Sequence, residues 1–336
     1  MKPVISIRDV ALRAEVSVGT VSNVLNRPDV VAAATRERVL AAIDHLGYVR
    51  NEPARQLRSG TARTIGLVVP DVGNPFFTDV ARGAEEAASE AGHAVILCNS
   101  GESLEKERGH VGLLAAQRVH GVLITPVQAD PVAPRWLRER GISVVLLDQP
   151  TVADDLCSVA VDDRHGGELA VTHLLAEGCE RIVMLNGPPG IHQAAERHRG
   201  ALAALRRAGR PPDVLEVLTA PALNVPCGLR AGERLLARAV LPDAVFCAND
   251  LLALGLLQAT VRAGVRVPED LAIVGYDDID FAAAAAVPLT SIRQPRAQLG
   301  QAAMELLLEE SADPAGHQHR QVVFEPELVV RESTSP

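Results

Sequence analysis

The apolar positions of this chain open with two short amphipathic helices. In ISIRDVALRAEVSVGTVSNVLN, residues 5–26, Ile7, Val10, Ala11 and Ala14 fall at i, i+3, i+4 and i+7, one buried helical stripe. Ser6 followed by Asp9 has capping-box spacing, so the hydroxyl and carboxylate can satisfy each other's orphan amides. Ser17 can cap a second helix, in which Val21, Val24 and Leu25 turn inward while Val18, Gly19, Ser22 and Asn23 turn outward. A helix that merely meets water usually carries Glu or Lys on its outer face. This one carries small polar groups, the shape that enters a DNA major groove. A third helix is predicted from Thr35 as N-cap through Val39, Ile43 and Leu46 to Gly47, a C-terminal stop. The connector RNEPARQLRSGTART follows. Asn51 can cap a short helix there, with Pro53 tolerated in its first turn; taken alone, the stretch reads as a solvated linker.

From Thr64 onward the period changes. TIGLVVPD, HAVILCNS, GVLITP and SVVLLDQ are rich in branched residues, as strands covered on both faces require, and FTDVARGAEEAASEAG and LEKERGHVGLLAAQRV are helices between them. After Val161 the pattern restarts with RIVMLNG, DVLEVLT, AVFCAND and LAIVGYDD. Two successive parallel α/β units predict two Rossmann-like lobes with a cleft between their strand C-terminal ends. Those ends carry Asp71, Asn74, Asp148, Asn249, Asp250, Asp277 and Asp278. Such carboxylates and amides suit a polyhydroxyl ligand, because each can engage two sugar hydroxyls. The competing use of any one of them is to cap the helix that follows.

Composition narrows the function. A length of 336 residues suggests two or three domains, and 47% apolar residues can build their cores without disulfides. Five scattered cysteines without a CxxC read as reduced thiols, with no zinc or other metal site expected. His317 and His319 in GHQHR fall in a polar late loop and read as solvated. No run of apolar residues is long enough to span a membrane and no export signal is visible, so a cytoplasmic protein is expected. The net charge of −9 hides an asymmetry: residues 1–60 hold nine Lys or Arg against six Asp or Glu, a balance of +3, leaving −12 for the rest. A basic head on an acidic body fits a DNA-touching module joined to a domain that does something else. There is no nucleophile elbow, no HExxH, no GxGxxG after the first strand and no paired carboxylate with a proton acceptor. Neither an enzyme nor a cofactor is expected.

IRDVALRAEVSVGTVSNVLN, TRERVLAAIDHLGYVRN, ARQL, IGLVVPD, VFCAND, VGYDDIDF and PLTSIRQP occur in an order and spacing that resembles the lactose repressor (LacI) family of bacterial transcription regulators, over essentially the whole chain. The resemblance implies an α/β fold with an N-terminal helix-turn-helix headpiece over 1–49 and a hinge helix and linker over 50–62. A two-lobed, Rossmann-like, periplasmic-binding-protein-like effector and dimerisation domain would occupy 63–336. Its N-subdomain would span about 64–161 plus 293–321, and its C-subdomain about 162–292 plus 322–332. On matching positions, Val18, Gly19 and Asn23 would face base edges. The Asn23 amide can pair with adenine N6 and N7, worth about 1–3 kcal/mol of discrimination. The lactose repressor itself has larger polar residues at the first two positions, so its operator does not transfer. Thr20, Ser22 and Asn26 match phosphate-contacting positions, which orient the headpiece without reading sequence. PARQL matches the family's hinge helix, with Leu57 as a minor-groove wedge and Ala54 permitting two hinges to approach.

The resemblance further places Asp71, Asn74, Phe76, Asp148, Arg197, Asn249, Asp250, Asp277, Phe281 and Gln294 in an effector site. Of the adjacent phenylalanines, Phe76 rather than Phe77 is taken as the stacking ring. Leu223 or Asn224 stands where the family carries a second-lobe aromatic, which points to a monosaccharide rather than a disaccharide. The expected protein is a homodimeric repressor of carbohydrate-utilisation genes, binding a pseudo-palindromic operator with an affinity set by a small sugar. Competing functions are the same fold with a phosphorylated or non-sugar effector, a transporter's solute-binding protein, and a sugar-modifying enzyme. The chain ends shortly after LVVRE, so no tetramerising tail is expected.

Overall fold

The computed structural model describes residues 5–48, 63–128, 132–151 and 155–335; the hinge positions Ala54 and Leu57 lie outside the described residues. The chain divides into two compact units, 1–62 and 63–336.

The first unit holds α1 (Ile7–Arg13), α2 (Val18–Asn26) and α3 (Ala33–Leu46). The Ser6 amide donates to Asp9 Oδ2 at 2.8 Å and its hydroxyl to the same oxygen at 2.7 Å, so the carboxylate takes both hydrogens. Ser17 Oγ accepts from the Thr20 amide at 3.0 Å, closing the start of α2. Val10, Ala11, Ala14, Val21, Val24, Val39 and Ala42 bury one another in a core drawn from all three helices. The third helix starts earlier than its sequence suggests. The Thr35 amide already bonds to the Ala32 carbonyl at 3.0 Å, so Thr35 lies inside the first turn instead of capping it. Gly47 ends the helix at φ 62°, a left-handed conformation that costs glycine little.

The second unit contains two six-stranded sheets. The first is built from β1 (Thr64–Val69), β2 (Ala94–Asn99), β3 (Gly121–Ile124), β4 (Ser143–Leu147), β5 (Cys157–Val161) and β11 (Gln321–Phe324), in the all-parallel order β11-β5-β4-β3-β1-β2. The second holds β6 (Ile182–Asn186), β7 (Leu215–Thr219), β8 (Ala244–Cys247), β9 (Ala272–Asp277), β10 (Thr290–Arg293) and β12 (Glu327–Val329), in the order β12-β10-β9-β8-β6-β7. Only β12 runs antiparallel to its neighbour there. The helices are α4 (Pro75–Glu90), α5 (Leu104–Ala116), α6 (Val132–Arg138), α7 (Asp163–Ala176), α8 (His192–Arg207), α9 (Val225–Leu236), α10 (Asp250–Ala263), α11 (Asp280–Ala283) and α12 (Arg296–Ala312).

Central strands β3, β4, β6, β8 and β9 are buried throughout, as their branched runs require. The expectation of cover on both faces fails for β2, an edge strand that leaves Ile96 and Leu97 exposed. A second correction concerns the lobe boundaries. Gln321–Phe324 pairs with β5 and so belongs to the first lobe, which places the last crossover after Phe324 and not after residue 321. At these crossovers Arg296 pairs with Asp79 of the first lobe at 3.0 Å and donates to the Asp278 carbonyl of the second at 2.8 Å.

Strand order reverses between β3 and β1 in one sheet and between β8 and β6 in the other. Ligands of open α/β sheets bind outside the strand ends at such switch points. Close helix packing also serves the site. A Cβ on Gly167 of α7 would collide with the Arg197 carbonyl of α8, and one on Gly200 with the Arg164 carbonyl. Backbone contact at these glycines brings the α8 turn carrying Arg197 against the first turn of α7.

Candidate DNA-reading helix and effector cleft

On α2, Val18, Gly19 and Asn23 are exposed, opposite the buried Val21 and Val24. The structure thus gathers all three proposed base-facing residues on one side. Space around Gly19 is open: a Cβ there would meet nothing closer than Ser17 Oγ at 3.6 Å, so the fold itself does not demand glycine. Thr20 and Ser22 are half-buried beside that face. The Thr20 hydroxyl lies 2.9 Å from Ser17 Oγ, so it shares in the helix cap. Asn26 Nδ2 donates to the Ser22 carbonyl at 2.8 Å and to its hydroxyl at 3.2 Å.

In the second unit, a cavity of about 310 Å³ opens at both switch points. The first lobe contributes Asp71, Asn74, Phe76, Phe77 and Asp148; the second contributes Arg197, Asn249 and Asp277. Its polar centre is Arg197, only 4% exposed. The Arg197 Nε donates to Asp163 Oδ1 at 2.7 Å and Nη1 to the Ala248 carbonyl at 2.6 Å, while Nη2 stands 3.9 Å from Asp277 Oδ1. The guanidinium lies 3.6 Å over the Tyr276 ring, a cation–π contact in a site shielded from water. Gln193 Nε2 donates to both the carbonyl of Asp148, at 2.5 Å, and its Oδ2, at 2.9 Å. Asp148 Oδ1 is buried and has no hydrogen-bond partner among the described residues.

The electrostatics follow from three carboxylates sharing one cation. Burial opposes the charge on Arg197, but Asp163, Tyr276, Asp277 and Asp148 outweigh it and hold the guanidinium charged. Burial, with the charge of Asp163 behind it, pushes the Asp148 carboxyl well above the usual carboxylate range. Burial also pushes Asp277 up to about 6, although Arg197 and the hydrogen bond from Gln294 pull it down. Asp148 and Asp277 further adopt φ of 55° and 104°. Left-handed backbone of this kind costs on the order of 1–3 kcal/mol for a non-glycine residue and collects at ligand sites.

Several expectations are corrected. Asp250 does not reach the cleft: its oxygens accept from Ser291 Oγ at 2.7 Å and the Ile279 amide at 2.9 Å, tying the β9–α11 loop to α10. Gln294 sits behind Asp277, donating to its Oδ1 at 2.7 Å, and positions that carboxylate without lining the cavity. Phe281 is 60% exposed, because the single turn of α11 directs Ala282 inward. Phe77 lines the cavity together with Phe76, the rings edge-to-face at 4.9 Å, so the choice of one over the other does not hold. Leu223 fills the place of the absent aromatic, whereas Asn224 caps α9 by accepting from the Cys227 amide at 3.0 Å. Asn74 and Asn249 do both jobs, each capping a helix while facing the cavity. His317 and His319, read as solvated, are half-buried against Cys157 Sγ.

Sequence reasoning missed Asp163, Gln193 and Tyr276. Asp163 carried a signal: in VDD at the end of β5, Asp162 accepts the His165 amide at 2.8 Å as the cap, leaving the next carboxylate to turn inward. Gln193 carried none.

Residues 6–51 match the family described as bacterial regulatory proteins, lacI family, and residues 171–334 match the periplasmic binding protein-like domain. The HTH-type transcriptional repressor PurR of Photobacterium profundum is 36% identical over 329 residues, 98% of each chain. The chain belongs to the LacI family. Two solved structures extend the likeness. The lac repressor dimer bound to operator and the anti-inducer ONPF is 30% identical, with a TM-score of 0.82 and 99% of each chain covered. A LacI-family regulator of Enterococcus faecium with bound ribose is 32% identical, with a TM-score of 0.75 over 81% of this chain and 99% of that one. LacI-family membership makes this protein a DNA-binding transcriptional regulator with a helix-turn-helix head and a two-lobed effector domain. Its relatives are repressors, not enzymes. Among the described residues, no helix is long and apolar enough to cross a membrane.

Proposed function

We propose that this LacI-family protein represses carbohydrate-utilisation genes, binding a pseudo-palindromic operator as a homodimer with an affinity set by a free monosaccharide in the cleft. The observation that carries the effector assignment is the unpartnered Asp148 Oδ1, buried across the cavity from Arg197 and Asp277. A buried carboxyl oxygen without a partner is costly, and a sugar hydroxyl would supply one. The ring's other hydroxyls would meet Asp277 and Arg197, while Phe76 and Phe77 would cover its C–H face. Asp71, Glu102, Asp148 and Asp277 line the cavity, and the arginine facing them is already bonded to Asp163, a lining that offers a phosphate little compensation and favours an uncharged sugar. The volume of about 310 Å³ lies at the low end of the range for small-molecule sites. Ribose, bound in the Enterococcus faecium regulator, is a ligand of this size class.

A flat heterocycle is the second reading, favoured by the apolar pair Phe76 and Phe77 facing Leu223. A thermal-shift screen of monosaccharides, sugar phosphates and nucleobases separates the two. A ligand at a hundred times its dissociation constant adds about 2.7 kcal/mol. Stabilisation by pentoses or hexoses alone is expected; stabilisation by a nucleobase or a sugar phosphate with no response to free sugars would overturn the assignment.

For DNA, Val18, Gly19 and Asn23 are assigned to base edges, Thr20, Ser22 and Asn26 to phosphates, and Leu57 with Ala54 to the minor-groove hinge. The exposed Ile96 and Leu97 of edge strand β2 supply an apolar surface for side-by-side pairing of first lobes. A mobility-shift assay with palindromic DNA from upstream of the protein's own gene tests this half. Failure to retard any such fragment refutes it.

A further inference from the structure

Away from the cleft, four side chains of unlike chemistry converge. Cys157, the first residue of β5, is fully buried, and Glu310 near the end of α12 is 5% exposed. The loop from α12 to β11 then brings His317 and His319 over them. One ligand atom from each of the four lies within 4.8 Å of the rest. Cys157 Sγ is 3.1 Å from His317 Nε2 and 3.7 Å from His319 Nδ1. Glu310 Oε2 is buried with no hydrogen-bond partner among the described residues.

We propose that Cys157, Glu310, His317 and His319 form a structural zinc site that pins the α12–β11 loop to β5. With Zn–S near 2.3 Å and Zn–N or Zn–O near 2.0–2.2 Å, the donors of a tetrahedral site stand about 3.3–3.8 Å apart. The observed spacings bracket that range: the 3.1 Å contact between Cys157 and His317 would lengthen by about 0.4 Å, the 3.7 Å contact to His319 already fits, and no pair, at 4.8 Å or less, would shorten by more than about 1.5 Å. A thiolate and two imidazoles select zinc over calcium or magnesium, and four protein donors leave no open position. The thiolate and the carboxylate together balance the charge of the dication, and the thiol proton leaves to solvent as the Zn–S bond forms.

Arg138 is the group that must yield. Its Nη2 lies 3.2 Å from His319 Nε2. An ion at Nδ1 leaves a hydrogen on Nε2, so Arg138 would turn to the outer oxygen of Glu310. The site lies at the start of β5, whereas the effector cleft opens at the strands' other ends. Five residues of strand separate the two, about 16 Å. The ion therefore holds the lobe together without touching the ligand.

The test uses the full chain stripped with chelator and reloaded with Zn²⁺ or Co²⁺. Expected are one zinc per chain by mass spectrometry, a thiolate-to-cobalt charge-transfer band, and a rise in Tm on adding zinc. Cys157→Ser should abolish the band. His317→Ala, in the loop and outside the core, should lose stoichiometric uptake and the Tm rise while keeping its circular dichroism and its response to effector. Substoichiometric uptake without a charge-transfer band, or undiminished uptake by His317→Ala, would reduce the cluster to a hydrogen-bond network and overturn the proposal.

Discussion

Asp277 shows how much of this cleft is set by the surroundings of a single carboxyl. Its pKa is about 6 in the folded protein against an ordinary 3.8, so between those values the folded chain binds more protons than the unfolded one. The contribution of Asp277 to stability is then greatest below pH 4, falls as pH rises through the interval, and levels off above 6. The shift corresponds to about 3 kcal/mol at neutral pH. Asparagine mimics the protonated acid, so Asp277→Asn should be more stable than the parent at pH 7.5, with the difference vanishing near pH 4. Thermal melts of both proteins from pH 4 to 8 check this; a constant offset across the range would sink it. At this scale the sequence is partly legible. Asp148 and Asp277 can be picked out because strand ends are visible in a linear reading, whereas Arg197, one of four arginines in α8, is picked out only by the family resemblance. Asp250 and Phe281 mislead because a strand-end carboxylate that braces a loop looks the same in sequence as one that meets a ligand. Nothing in one dimension says that Ala282, and not Phe281, turns inward.

The elements are legible in proportion to how local their causes are. The strands β1–β4 and β6–β9 carry continuous branched runs, and α1 and α2 carry their own caps. β5, β10 and β11 escape a linear reading although they are as long as β3 or β8: they exist because distant strands offer them a ladder. Helix contacts divide in the same way. A Cβ on Gly109 of α5 would meet nothing within 4 Å, so Gly109→Ala should stabilise the chain by about 0.5–1 kcal/mol through helix propensity alone. Gly167→Ala has the same intrinsic preference, yet its methyl would strike the Arg197 carbonyl, a backbone atom that cannot rotate away. Overpacking of that kind costs about 1–3 kcal/mol. The variant should therefore melt lower and also bind effector more weakly, because α8 must shift from Asp163. Opposite signs in urea denaturation of the two variants are expected; equal signs would mean that α7 and α8 are not held by backbone contact.

For the whole molecule, the decisive limit is how few base contacts one headpiece can make. Three base-facing residues per head give too little discrimination for one site in a genome, and a two-fold dimer doubles them while fixing the half-site spacing. Ile96 and Leu97 are exposed on β2, one of the first lobe's two edge strands. Leu97→Glu should produce a monomer by light scattering and lose operator binding, while its response to effector remains, since the cleft lies within one chain. Effector and operator must then influence each other equally. If the sugar changes operator affinity by some factor, operator changes sugar affinity by that same factor, and a switch from mostly bound to mostly free requires about 5.5 kcal/mol. Titrating the sugar by calorimetry, with and without saturating operator, should return the factor found by titrating operator with and without sugar. Leu57→Ala should shrink both factors together and weaken specific binding more than non-specific binding, because a wedge acts only where the DNA can kink. If the variant lost affinity equally on both kinds of DNA and kept the full factor, coupling would have to run through something other than the hinge leucine.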